Sequence, residues 1–358
     1  MTITKEPPVA DTPQAPSPDA NPPAAGERAD RPTKLVALVL GFAAVIATML
    51  FAFAAPALNS GAADLPLAVS GPEPAVTQLV ATLEQQSPGT FDITTYSTAQ
   101  DGAAAITERD AIGGIALGAD GVTIQTAQGA GTPYAALLNG VGDQLESAGQ
   151  AVTYDELAPT TADDPNGSGT SSLGMPLIFG GMGAAAAMVL AYRGPVRNRL
   201  LAATGLAVLG GLTATAILQF GFGAFDGSYW LIASAVTAGI VAISFPVLGL
   251  AQRLGTAGIG LMAAVLMFVA NPLSGLATGA AWLPQPWGEI GQYLPIGAAG
   301  TAIRSAAYFD GAGATQAWIV ASPINPTTPK WSCAATSRRP CGAASGTGWR
   351  SGSQPARW

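Results

Sequence analysis

The chain has 358 residues, of which 49% are hydrophobic and 10% charged, with a formal net charge of −7. A soluble domain carries about a quarter of its residues charged, so this is the composition of a membrane protein. Histidine is absent and the two cysteines, Cys333 and Cys341, lie near the C-terminus, which excludes His-based triads and His-ligated zinc and leaves no disulfide framework or Cys-rich metal site for the body of the chain.

Residues 1–34 form a Pro- and Ala-rich tail, with Pro7, Pro8, Pro13, Pro16, Pro18, Pro22 and Pro23. Such a stretch cannot bury a core and is expected to be disordered. The run 35–55 has neither charge nor proline and follows Arg28, Arg31 and Lys34. Its 21 residues match the roughly 20 that a membrane-crossing helix needs, and it starts too late for the short apolar core of a cleavable signal peptide. A retained first transmembrane helix is expected.

Residues 56–158 differ in kind. Between 56 and 172 there are fourteen acidic residues and one basic residue, Arg109. Period-2 alternation and glycine or proline breaks predict strands at 65–71, 91–97, 111–118, 121–127 (a hairpin partner of the preceding strand) and 151–157. Helical spacing predicts helices at 74–87, 99–109 and 133–148. Glu108, Arg109 and Asp110 read as a local surface charge cluster. The stretch 159–172, PTTADDPNGSGTSS, reads as a flexible linker.

Four more apolar spans are expected within 173–281, at 173–192, 200–222, 229–251 and roughly 255–281, the last interrupted by NPLSG. Arg193, Arg197 and Arg199 lie between the first two of these, and Arg253 follows the third. The positive-inside rule then sets the topology. Eight of the ten basic residues before position 311 fall on one side, leaving Arg109 and Arg304 on the other. The expected fold is an α-helical polytopic membrane protein with five complete spans, a truncated sixth, and a small extracytoplasmic α/β domain inserted after the first. It would sit in the plasma membrane with its N-terminus in the cytoplasm.

Residues 282–313 are expected to emerge on the outer face as a re-entrant or interfacial segment. Asn271 and Pro272 break the preceding span, and irregular backbone at membrane depth is tolerated only when buried in protein or lining a cavity. Gly275 and Gly279 have the spacing that permits close helix approach, and Trp282 and Trp287 suit an interface. Arg304 is one helical turn from Gly300 and from Tyr308. Its guanidinium could stack on Tyr308, pair with Glu289 or Asp310, meet a lipid phosphate, or snorkel to water. Asn271, Pro272, Gly275, Gly279, Glu289, Arg304 and Tyr308 are the candidate substrate or gate residues; a structural cap is the plainer alternative.

Residues 314–358 carry five basic residues, no acidic residue and both cysteines. A sixth span is expected here, but AWIVA (317–321) begins one and stops. A frameshifted or damaged 3′ end is the expectation for this tail, with a genuine basic tail as the alternative. No lysine lies between Lys34 and Lys330, so no P-loop of the G-x-x-x-x-G-K-[ST] type is present over that stretch. No nucleophile elbow, catalytic set, metal site or cofactor is expected.

The order of one span, an outer α/β insert and four further spans, together with LPLAVSG (65–71), AIGGIAL (111–117) and above all NPLSGLATGAAWLPQPWGEIGQYLPIGAAGTAIRSAAYF (271–309), resembles the ABC type-2 permease superfamily. It looks most like the actinobacterial branch related to the phage-infection protein. The resemblance covers about 35–320 and is motif-level only in its last part. It implies a non-enzymatic permease subunit, dimeric with itself or a related chain, exporting a lipidic or hydrophobic substrate with energy from a separate cytoplasmic ATPase. Arg193, Arg197 and Arg199 would be the docking candidates, with ordinary topogenic charge as the alternative. The lipid bilayer is the other expected partner; nucleic acid is not. A membrane-anchored receptor or envelope-assembly factor, binding through its α/β domain, is the second reading.

Overall fold

The computed structural model describes residues 32–322. The expectations for residues 1–31 and for the basic tail with Cys333 and Cys341 lie outside the described residues. The chain forms two units, one ending at Leu50 and the other beginning at Phe51. The first is the leading part of α1 (Pro32–Asn59), a continuous helix of 28 residues. At 1.5 Å per residue this is about 42 Å, ample for a bilayer.

The second unit opens with a five-stranded sheet: β1 (Leu65–Ser70), β2 (Phe91–Tyr96), β3 (Gly113–Gly118), β4 (Gly121–Thr126) and β5 (Val152–Glu156). Their spatial order is β2-β1-β3-β4-β5, with β3 and β4 antiparallel and every other pair parallel. The intervening helices are α2 (Glu73–Gln86), α3 (Ala99–Thr107) and α4 (Thr132–Ser147). Leu65, Leu67 and Val69 point to one face of β1, and Ala68 and Ser70 to the other; all five are buried. This central strand is therefore covered on both sides. On the first face Val76, Leu79 and Leu83 of α2 and Tyr134 and Leu138 of α4 complete a core that Trp282 also joins. On the second face Ala68 and Ile106 pack with Phe309. Residues from the far end of the chain thus cover both faces of the sheet.

The rest is mostly helical: α5 (Ser168–Ser172), α6 (Gly174–Ala191), α7 (Val196–Ala216), α8 (Tyr229–Leu254), α9 (Thr256–Val265), α10 (Trp287–Gln292), α11 (Pro295–Tyr308) and α12 (Thr315–Ala321). Among the described residues four helical stretches are long and apolar enough to cross a membrane: Thr33–Asn59, Ser168–Ala191, Val196–Gly221 and Tyr229–Leu254. Helix α8 is central. Its Ile232, Val236, Ile243 and Val247 are buried against α6, α7 and α11, and Gly239 lies where a Cβ would come within 2.7 Å of Ala299. Small residues at such crossings let helices approach closely where lipid supplies no hydrophobic drive.

The expected fifth span is shorter than predicted. Helix α9 continues through a wide turn, Leu266–Ala270, closed by the Asn271 amide donating to Leu266 O at 2.9 Å. The apolar helix Thr256–Ala270 has 15 residues, about 22 Å and less than the roughly 30 Å hydrocarbon core. Asn271 and Pro272 then start a series of turns. Among the described residues four helices have spanning length, and this fifth apolar helix does not. The Gly275–Gly279 spacing belongs to one of these turns, not to a helix: φ is +64° at Gly275 and +91° at Gly279, and the Gly279 amide donates to Gly275 O at 2.8 Å.

A second correction concerns 159–172. This stretch is an ordered strap, in which Thr161, Asp164 and Thr170 are all buried. The Asp164 carboxylate accepts hydrogen bonds from the Ser168 amide (2.8 Å), Ser168 Oγ (2.6 Å) and the Gly169 amide (2.6 Å). It thereby fills the role of an N-terminal cap and holds the start of α5.

Two glycines test these contacts in opposite directions. At Gly279 an added Cβ would lie 2.3 Å from Tyr134 Oη on a positive-φ backbone, so Gly279→Ala should lower stability by about 1–3 kcal/mol. Gly140 sits inside α4, and a methyl group added there would meet nothing within 4 Å. Gly140→Ala should raise stability by about 0.5–1 kcal/mol through helix propensity. Thermal melts of both variants in one detergent check the pair of signs.

Candidate functional site around Arg304

Helix α11 is buried along nearly its whole length, from Ile296 to Ala307 except for Thr301. A helix apolar on every side belongs in a core, and Arg304 is the charged exception at 5% exposure. This contradicts the expected interfacial placement. Arg304 donates from Nη2 to Leu276 O at 2.9 Å, and this is its one hydrogen bond among the described residues. Glu289 and Asp310 are exposed and neither forms an ion pair with it. At 5% exposure it does not reach a lipid headgroup or snorkel to water.

Tyr308, one turn on, does not stack on Arg304. Its ring instead meets Phe225 of the α7–α8 loop edge-on, with centroids 6.1 Å apart. The hydroxyls of Tyr308 and Thr170 are neighbours, yet both are buried without a partner at hydrogen-bonding geometry. A small cavity of about 10 Å³ opens here, lined among others by Arg304, Tyr308, Thr170, Asn166, Gln128 and Thr132. Four segments far apart in sequence build its wall: the β4–α4 loop, the strap, the turn at Ala277, and α11.

The fit is set by backbone approach. A Cβ on Gly129 would lie 2.5 Å from Tyr308 Cγ, and one on Gly131 would lie 2.6 Å from Thr278 O. Around them the strap is tied to the loop by Gln128 Nε2 donating to Pro165 O (2.8 Å) and Thr132 Oγ1 donating to Asn166 O (3.0 Å). Trp282, expected at the membrane interface, instead meets Tyr134 edge-on at 5.8 Å within the domain core. Trp287 is exposed.

Arg109 is a residue that sequence reasoning misplaced. It is not a free surface charge: its backbone is left-handed (φ +68°), Nη1 donates to Thr301 O at 3.2 Å, and the guanidinium lies 5.3 Å from the Phe309 ring centroid. Burial, and then the charge of Arg304, bring its pKa down to about 10, so it stays cationic at neutral pH. Two guanidinium groups thus tie α11 to its surroundings through backbone carbonyls: Arg109 reaches in to Thr301 O, and Arg304 reaches out from the helix to Leu276 O. One signal was available: Arg109 is the lone base among fourteen acids. Gln128, Tyr134, Asn166 and Thr170 had no signal of their own.

Of the remaining candidates, Asn271 and Pro272 end α9, and Gly275 and Gly279 shape the following turn. The turn is held by Ser274 Oγ donating to Asn271 O (2.7 Å) and Gln292 Nε2 donating to Ser274 O (3.2 Å). These residues frame the site without lining the cavity. Arg193, Arg197 and Arg199 are elsewhere. Helix α6 starts beside Leu276 and runs 18 residues, about 27 Å, before reaching them. Arg193 and Arg197 are exposed; Arg199 is half-buried, with Nε lacking a partner. Among the described residues no cluster of His, Cys, Asp or Glu could hold a metal ion.

The strap gives a pH-dependent expectation. Burial alone would raise the Asp164 pKa, but the bonds from Ser168 and Gly169 outweigh it and hold the carboxyl below its usual range. Its stabilisation is therefore complete above the unfolded carboxylate pKa of about 3.9 and is lost as pH falls through the lower folded value. Asp164→Ala should cost about 1–3 kcal/mol at pH 7, and the gap from wild type should narrow below about pH 4; melts across pH 3–7 read this directly. Comparison of the chain with protein-family models, with curated proteins and with solved structures finds no match.

Proposed function

We propose that the chain is a permease subunit of an ATP-driven exporter of the ABC-2 kind, moving a lipidic or hydrophobic substrate with energy from a separate ATPase. The observation that carries this reading is the joint at Arg304. The α/β domain grips the same helix, α11, that packs on the central helix α8, so displacement of one end of the bundle is transmitted to the domain. An ornamental or loosely tethered domain would need no such joint. The break at Asn271 and the wide turns that follow α7 (Ile217–Gly221) and α9 (Leu266–Ala270) fit this, since such turns recur where helices serve function.

The bundle core is filled by Ile, Val, Leu and Ala side chains. A single chain therefore offers no path for cargo, and the reading requires a path between two chains, with the outer surface of each bundle facing it. The basic loop with Arg193 and Arg197 lies at the end of α6 away from the α/β domain and suits a cytoplasmic docking element. The filled core is also what a membrane-anchored receptor would have, and that second reading needs only the domain's surface.

Co-purification separates the two. The full chain, expressed with the neighbouring genes of its own genome and extracted in mild detergent, should retain a nucleotide-binding protein in stoichiometric amount. Replacing Arg193, Arg197 and Arg199 together by alanine should reduce that recovery at least about tenfold, the loss expected when charge-assisted contacts are removed. Recovery of no ATPase by wild-type chain would contradict the exporter reading and favour the receptor.

A further inference from the structure

The cavity beside Arg304 has the chemistry of an anion site. Arg304 is 5% exposed and lines it. A guanidinium has five N–H donors, and one of those of Arg304 is engaged, with Leu276 O. Burying a charge without a counter-charge costs several kcal/mol. The carboxylates near Tyr308 are Asp164, engaged by Ser168 and Gly169, and the exposed Asp226; among the described residues neither forms an ion pair with Arg304. The second guanidinium, on Arg109, adds positive potential and is bonded to Thr301 O. Two further groups at this point, Tyr308 Oη and Thr170 Oγ1, are buried and unpartnered. Two neighbouring hydroxyls with no acceptor beyond one another, beside a guanidinium with no carboxylate, share a single need, an acceptor bearing negative charge.

Size narrows the choice. About 10 Å³ is the space of roughly one water-sized probe. A four-oxygen phosphate or sulfate, free or on a lipid, is several times too large. We propose that this cavity binds a small monovalent anion of the size of chloride, held by Arg304, Tyr308 and Thr170, and that the ion fastens the α/β domain and strap to α11. The inference does not depend on whether the chain carries cargo. It makes the joint responsive to the ionic composition of the compartment the domain faces.

The test uses the full chain in lipid nanodiscs, melted in sodium chloride and in sodium gluconate at equal ionic strength. Chloride should raise Tm by roughly 2–4 °C per tenfold increase above its dissociation constant, where gluconate does nothing. Bromide, close to chloride in radius, should substitute for it; the polyatomic nitrate and sulfate should not. Tyr308→Phe and Thr170→Val, each removing one donor at nearly constant volume, should shift the chloride midpoint upward by about threefold to tenfold. Arg304→Gln should abolish the response; if that variant does not fold, the two conservative variants and the wild-type ion series still decide. Identical melting in chloride and gluconate would overturn the proposal and leave the cavity to water. So would a chloride response unchanged in both Tyr308→Phe and Thr170→Val.

Discussion

The close backbone approach between the β4–α4 loop and α11 is the constraint on which the second unit depends. Gly129 lies against the Tyr308 ring and Gly131 against Thr278 O, at separations where a Cβ would fall at 2.5 and 2.6 Å. Side chains of any size at these two positions would lift the α/β domain off the bundle. With glycine there, the loop sinks in far enough for Gln128 and Thr132 to reach the strap, for Trp282 to enter the domain core, and for Phe309 to cover the other face of the sheet. The domain borrows part of its hydrophobic core from the segment that follows α9, so neither is complete without the other.

Electrostatics reinforces that joint. Arg304 and Arg109 anchor the carbonyls of Leu276 and Thr301, which fixes the turn after α9 and the middle of α11. Coulomb energies grow as the effective dielectric falls, so a buried guanidinium grips a carbonyl harder than an exposed one, and its desolvation also demands more of its surroundings. The site is therefore sensitive to charge. The Asp164 carboxylate is met by its own three donors at the start of α5.

Much of the local structure was legible in the sequence. Every strand and helix predicted between 65 and 157 is present within two residues at each end, because one-sided burial enforces periods of two and 3.6 that leave a visible pattern. The long apolar runs were legible for the same physical reason: a bilayer demands length. What was not legible turned on residues whose chemistry serves two structures. Asp, Gly, Ser and Thr in 159–172 suit a flexible linker and equally a capped strap, and only the burial of Asp164 decides. Gly275 and Gly279 have the spacing of a helix contact but the φ of a turn. Arg304 looked interfacial because a charge on an apolar helix usually is; its burial depends on Leu276 O, 28 residues away, and Arg109 likewise on Thr301 O, 192 residues away.

The joint requires that the α/β domain, the strap and the 271–313 segment open and close as one body. Amide hydrogen exchange on the full chain in nanodiscs tests it most directly. Four amides report on the joint: Gly61 bonded to Trp282 O, Gly129 to Ala158 O, Gly169 to Asp164, and Gly279 to Gly275 O. These are expected to exchange within about tenfold of the amides of β1 and α11, as members of one cooperative unit do. Protection confined to the sheet and α11, with the four joint amides exchanging more than about a hundredfold faster, would show a domain resting on the bundle and would contradict it.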